Sequence, residues 1–493
     1  MSVWYEMDDK QKTERKKKLY DILNHLGYSK VCCNQRIKIY DNASRCLERV
    51  SNRNWFVPVN VTVLGSRGEG MAVALGSDMD VLMLQPAVKC FETLSLTYKE
   101  ENDRDVAIFE LNFSDVPEGY AKLHLKTLKD ASPYPYSRLV TRIKGALTSD
   151  GFLQNNQRII ESIENGGQTV RLEGWPTTHN MYGHINGPAQ PLQYPLPCPE
   201  KYQQYLSIDY VAAFPCVYPS LLNDWFERVR GKSWPSLETS IKVKHSDLFV
   251  VPVGLAESDE EVLQWRISFT LAEILLVRSF HDAQIKAYAL MKMILKHELK
   301  PICMNITSYQ IKNVLFWTSE KRQNIQKIDF YELLLEVITF LKDCIEARQL
   351  QHYFIPSRNL MHVNISEEER SRLIAFLTKI SWDPSYALQR CPLICNMCTL
   401  PTDEGLVFRN MVDELMAAFF AVAPEQFDEI EHLLQGAQSS KEYFDFFMKR
   451  VPAIVRKNNP YGYFHLILSK RDDDIDEILN EGCKKGYQEL WIK

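Results

Sequence analysis

Residues 63–84 read VLGSRGEGMAVALGSDMDVLML. A glycine-rich turn carrying Gly65 and Ser66 is followed, twelve residues after the serine, by Asp78 and Asp80 and an apolar run. A P-loop needs Lys-Ser/Thr after its last glycine, but Gly70 is followed by Met71 and Ala72. The dinucleotide fingerprint and the kinase loop need a third glycine where Val73 stands, and no HRD or DFG occurs. Two readings remain. On a strand, Asp78 and Asp80 point to one face. Like charges that close raise each other's pKa unless a cation lies between them, and magnesium takes such carboxylates together with substrate phosphates. The turn upstream then offers backbone N–H groups and the Ser66 hydroxyl to a triphosphate. The other reading is a polar hairpin, since Gly, Ser and Asp are common turn residues.

A two-metal centre usually takes a third carboxylate from a distant strand. Asp209 in YLSIDYVAAF (205–214) stands between Ile208 and Tyr210, where an unpaired charge is strongly destabilising. Its alternative is a strand-end carboxylate facing solvent.

Around these residues the chain changes character. Leu19, Ile22, Leu23 and Leu26 fall at i, i+3, i+4, i+7 and predict an amphipathic helix with a basic start. VPVNVTVL, VLML (81–84) and FELNF (109–113) read as strands. Residues 172–200 are rich in Gly and Pro and read as a long surface loop. From about residue 220 the pattern is helical: 265–299 with a break near His281, then 308–317, 330–347 and 366–493. A β-containing front and a helical back predict an α+β fold with two lobes. The expected divisions are a basic helical segment 1–55, a sheet lobe 56–240, a helical lobe 241–365 and a C-terminal helical extension 366–493.

Composition sets outer bounds. The 493 residues, 45% hydrophobic and 25% charged, fit a globular protein of two or three domains. No apolar run reaches the ~20 residues of a membrane helix, and the first residues lack a signal pattern, so a cytoplasmic protein is expected. Net charge is −5, yet residues 1–55 carry 12 Lys and Arg against seven Asp and Glu, a local +5. The basic residues concentrate at Lys10, Lys12, Arg15, Lys16, Lys17 and Lys18. They read as a solvated helix face or as a track for a phosphate backbone. Twelve cysteines in a chain of this length are too sparse for a disulfide scaffold. Cys391, Cys395 and Cys398 could hold zinc but lack a nearby fourth ligand, and buried thiols are the simpler reading.

Taken together, the motifs resemble those of the nucleotidyltransferase superfamily and, more narrowly, the cyclic GMP-AMP synthase-like (Mab-domain) family. The resemblance rests on Gly65, Ser66, Glu69 and Gly70; on Asp78, Asp80 and Asp209; and on DYVAAFPC. It extends to Trp225, Arg228, Arg230 and WPS (234–236), then VPVG (251–254) and WRISF (265–269). SYQIKNVLFW (308–317) and YFIPSRNL (353–360) complete it, and it spans about residues 57–365. It implies a bilobal nucleotidyltransferase fold with an N-terminal spine helix. It implies two Mg²⁺ or Mn²⁺ ions, ATP and GTP or other nucleoside triphosphates as substrates, and a cyclic dinucleotide messenger as product, read by a downstream receptor.

Residue by residue, the resemblance gives Gly65 and Ser66 the donor triphosphate, Asp78 and Asp80 both metals, and Asp209 one metal and the attacking ribose hydroxyl. Arg266, Ser268, Thr270 and Glu273 match its base- and ribose-contacting segment. Three of them, Arg266, Thr270 and Glu273, also share a helix face at i, i+4, i+7. Lys292 matches a phosphate-contacting lysine, and Tyr309, with Ser308 beside it, a tyrosine that stacks on a base. DNA-sensing members insert a His/Cys zinc ribbon where this chain has VRSFHDAQIKAY, so no zinc ribbon is expected. Double-stranded RNA is thus favoured over DNA as the activating nucleic acid. The rival readings are a non-catalytic scaffold or nucleic-acid-binding protein, and a nucleotidyltransferase acting on RNA ends.

Overall fold

The computed structural model describes residues 9–54, 58–72, 78–92, 105–129, 136–155, 189–195, 205–256, 258–361, 365–391 and 394. Two helices lead, α1 (Asp9–His25) and α2 (Lys30–Asn54). α1 buries Leu19, Ile22, Leu23 and Leu26, the stripe its spacing predicts.

Among the described residues nine strands form the sheet: β1 (Asn60–Val63), β2 (Met79–Leu84), β3 (Val88–Phe91), β4 (Ala107–Asn112), β5 (Tyr120–Leu128), β6 (Ala189–Pro195), β7 (Tyr205–Val217), β8 (Leu248–Val251) and β9 (Gln264–Ser268). The long β7 organises it. Residues 208–213 pair in parallel with β2, while Cys216 and Val217 pair in parallel with β3. From β3 the order runs through β4, β5, β9 and β8, and β8 returns to Phe214–Cys216 of β7, closing a circuit.

In β2, Met79, Val81, Leu82, Met83 and Leu84 are all buried, as a strand covered on both faces requires. Met79, Val81 and Met83 pack with Tyr40, Ala43 and Leu47 of α2. Leu82 and Leu84 point the other way, with Phe249, Val251 and Ile274.

Among the described residues the remaining α-helices are α3 (Gly65–Gly68), α4 (Tyr136–Ala146), α5 (Pro219–Val229), α6 (Leu237–Lys244), α7 (Thr270–Arg278), α8 (Asp282–Ile294), α9 (Ser308–Lys321), α10 (Phe330–Ala347), α11 (Glu367–Trp382) and α12 (Ser385–Leu388). The break near His281 separates α7 from α8. One contiguous core joins Leu19 of α1, Phe109 and Leu123 of the sheet, and Leu333 and Leu377 of the later helices. No described helix is long and apolar enough to cross a membrane.

Three expectations are corrected. The chain is not helical throughout after residue 220, because β8 and β9 complete the sheet. In WRISF, Trp265, Ile267 and Phe269 are buried while Arg266 and Ser268 are half-buried, a period of two that the helix beginning at Thr270 had masked. Arg266 therefore lies on a strand and does not share a helix face with Thr270 and Glu273. The Gly/Pro-rich stretch contains a strand, β6, paired antiparallel with β7. Pro191 and Pro195 are tolerated there because β6 lies at the edge. The rest of 172–200 falls outside the described residues, as do Cys395, Cys398 and the extension beyond residue 394. Cys391 is buried and lies outside any disulfide.

Candidate functional site

The GSRGEG segment folds as the single helical turn α3 rather than an open loop. Gly68 N–H donates to Leu64 O at 3.0 Å and Glu69 N–H to Gly65 O at 2.9 Å. Gly65 has φ +59, and a Cβ there would lie 1.8 Å from Asp80 Oδ2. Only glycine lets the turn close onto that carboxylate. Gly70 has φ +74 and leaves room for the Cys33 carbonyl of α2, 2.7 Å from where its Cβ would be. Leu64 N–H donates to Asp80 O at 2.7 Å, so turn and strand are joined by backbone as well.

Strand pairing assembles the acids. Asp80 and Asp209 are directly opposed in the parallel register of β2 and β7. Asp78 is exposed and sits one residue before β2; its carbonyl accepts from the buried Arg67 Nε at 3.3 Å. Burial first, then Asp209 and Asp78, push the Asp80 carboxyl up to about 6. Burial and Asp78 raise Asp209 as well. Among the described residues no group of three or more His, Cys, Asp or Glu side chains is drawn close enough to hold an ion. Asp80 and Asp209 meet through backbone register, and Asp78 acts on both through its field. An all-oxygen, acidic donor set beside a glycine turn is the type that Mg²⁺ or Mn²⁺ takes.

The helices close over the turn with cations. Lys292 of α8 donates Nζ–H to Ser66 Oγ at 2.5 Å. Its burial brings the ammonium down to about 8, against the opposing field of Glu69. Arg278 of α7 donates to Gly68 O at 2.8 Å and pairs with Asp41 of α2 at 2.7 Å. Lys312 of α9 lies between two buried carboxylates, 2.5 Å from Glu69 Oε1 and 3.1 Å from Glu273 Oε2. Burial works against the Lys312 charge, but Glu69 and Glu273 outweigh it and its pKa is raised.

Glu273 continues the chain, accepting from Tyr309 Oη at 3.0 Å, and that hydroxyl lies 2.7 Å from His352 Nε2. His352 Nδ1 accepts from the Phe354 and Ile355 N–H groups at 3.1 Å. Burial and the nearby Arg358, Arg228 and Arg266 hold the ring neutral. Nε2 therefore carries the proton and donates to Tyr309.

The structure thus brings Gly65, Ser66, Asp78, Asp80, Asp209 and Lys292 together, with Glu273 and Tyr309 joined to them through Lys312. Ser268 and Thr270 hydroxyls meet at 2.7 Å. Ser308 is exposed at the start of α9. The basic residues of α1 are not one free face: Lys10 and Lys17 are exposed, but Lys16 Nζ lies 3.9 Å from Asp329 and 5.2 Å from the Tyr331 ring centroid. Arg15 is partly buried near Asp383. Lys312, Arg278 and His352 were not singled out from sequence. The available signal was a lysine inside the apolar run SYQIKNVLFW, which needs a buried partner.

Residues 283–379 match the Mab-21 protein HhH/H2TH-like domain. That stretch covers α8 to α10 and most of α11, and leaves the three acids outside it. Protein mab-21-like 3 of Danio rerio is 29% identical over 161 residues, 30% of this chain and 39% of that protein. The chain thus spans about two-fifths of the length of that curated relative. Both findings support a relationship to the Mab-21 family and a nucleotidyltransferase-like fold.

Proposed function

We propose that this chain is a metal-dependent nucleotidyltransferase that joins nucleoside triphosphates into a cyclic dinucleotide. The observation that carries this reading is the in-register pair Asp80 and Asp209 beside the Gly65–Ser66 turn, with Lys292 bound to that serine. Asp78, Asp80 and Asp209 would hold two Mg²⁺ or Mn²⁺ ions. When bound, such ions supply charge stabilisation to the attacking and leaving oxygens of an in-line displacement.

The chain's own groups do the rest. Ser66 and Lys292 bind the donor triphosphate. Asp209 orients a ribose hydroxyl of the second nucleotide and takes its proton as that oxygen attacks the donor α-phosphorus. The P–O bond to pyrophosphate breaks, and pyrophosphate leaves. In a second transfer, with the linear product turned over, a ribose hydroxyl attacks the remaining α-phosphorus, a second pyrophosphate leaves, and the ring closes. Arg266, Ser268 and Thr270 would face base and ribose. The energetic contribution of the protein is positioning and electrostatic stabilisation. Activation by double-stranded RNA through α1, and a place in innate immune signalling, belong to the same proposal.

The test is incubation of the protein with the four NTPs, Mg²⁺ or Mn²⁺, and double-stranded RNA or DNA, followed by a search for phosphatase-resistant cyclic products. Product that disappears in Asp78→Asn/Asp80→Asn is expected. No product under any activator, with variant and wild type alike, leaves a non-catalytic scaffold as the reading. Stimulation by RNA that survives Lys16→Glu/Lys17→Glu rules out α1 as its binding surface.

A further inference from the structure

We infer that the buried Glu69–Lys312 pair is a positioning latch: it fixes the Gly-Ser turn against helix α9, and nucleotide binding at Ser66 depends on it. The inference rests on the nucleotidyl-transfer reading and adds two residues that do not themselves touch the reacting atoms.

Internal hydrogen bonds define the shape of α3 but not its place relative to the helices above it. Arg36 at the Gly70 carbonyl and Arg67 at Tyr40 tie the turn to α2; to helices α7–α9 it is tied by Lys292 at Ser66, Arg278 at the Gly68 carbonyl, and Lys312 at Glu69. Lys292 has to share its donors with an incoming phosphate. Arg278 holds a backbone oxygen, at a half-buried position. Glu69 and Lys312 differ from both, being only 2% and 8% exposed. Water and salt do not screen such a pair, and a carboxylate pulled away from it is left charged in an apolar surround. The turn therefore has one favoured place.

The same ammonium holds Glu273, which accepts from Tyr309, which accepts from His352. Lys312 thus registers both ends of the site, the phosphate-binding turn and the Tyr309 side, against one another. Glu69 has a second effect. The charged groups acting on Lys292 are Glu69, Lys312 and Asp80, and Glu69 is the leading one favouring its protonated form.

The test uses the full chain, Mn²⁺ and α,β-methylene-ATP, with affinities measured from pH 6 to 9 for wild type, Glu69→Gln, Lys312→Gln, the double variant and Lys312→Arg. Each single neutral variant is expected to weaken binding roughly tenfold, the double variant no more than either single, and Lys312→Arg much less. Glu69→Gln is also expected to move the alkaline limb of binding to lower pH, a change that a merely structural tie does not produce. Wild-type affinity in the folded single variants, additive losses in the double, or an unmoved alkaline limb each overturn the latch. Unfolding midpoints report folding. If the neutral variants do not fold, Glu69→Asp decides: weakened binding supports the latch, and wild-type affinity overturns it. A wild type that binds no nucleotide sinks the nucleotidyl-transfer reading and the latch together; a wild type that binds, with unaffected variants, sinks the latch alone.

Discussion

Replacing Asp80 by asparagine should make the metal-free protein more stable. The carboxyl is lifted from 3.8 to about 6, by burial first and then by Asp209 and Asp78. At about 1.4 kcal/mol per tenfold in proton affinity, the ionised form is destabilised in the folded state by about 3 kcal/mol. A folded-state pKa above the unfolded value places this penalty in full above about pH 6. It falls away as pH drops toward 3.8, where both states are protonated. Asparagine keeps the shape and removes the charge. With a chelator at pH 7.5, Asp80→Asn is therefore expected to gain about 1–3 kcal/mol over wild type, and the gain should vanish near pH 4. Adding Mn²⁺ should reverse the order, because ions that bind the folded state stabilise wild type and have lost a ligand in the variant. Denaturant unfolding from pH 4 to 8, with chelator or Mn²⁺, measures all of this. A variant less stable than wild type at pH 7.5 in chelator, together with a flat wild-type profile between pH 4 and 7, refutes the reasoning.

Two further outcomes follow from the same geometry. Lys292 is held down to about 8, so its charge is present below that pH and lost above it. Affinity for triphosphate should decline as pH rises through 8, and Lys292→Met should flatten that limb in a fluorescence titration with an ATP analogue. Gly65→Ala should abolish nucleotide binding and lower the unfolding midpoint, since its Cβ would meet Asp80 Oδ2 at 1.8 Å in a left-handed backbone. An alanine variant with wild-type affinity contradicts the described turn.

Much of this site could be read along the chain. The i, i+3, i+4, i+7 apolar residues of α1, the apolar run of β2 and the GSRGEG–DMD spacing are local signals, and local backbone geometry answers to them. Asp209 stood out for the same reason, as a charge in an apolar strand. Short alternating strands beside strong helices were harder to see: Trp265, Ile267 and Phe269 share one face only because β9 pairs with β5 and β8. Composition also misread Pro191 and Pro195, because β6 pairs with β7 alone and an edge strand has no second neighbour to demand their missing N–H groups. By itself, the order of residues pointed to a mixed α/β chain, to the candidate acids and to the glycine turn, each read from signals within short segments. Only the tertiary structure decided that Asp80 faces Asp209 in register, and that Lys312 joins Glu69 to Glu273 across 204 residues of chain. Register and buried ion pairs depend on which surfaces exclude water together, and no local sequence pattern carries that information.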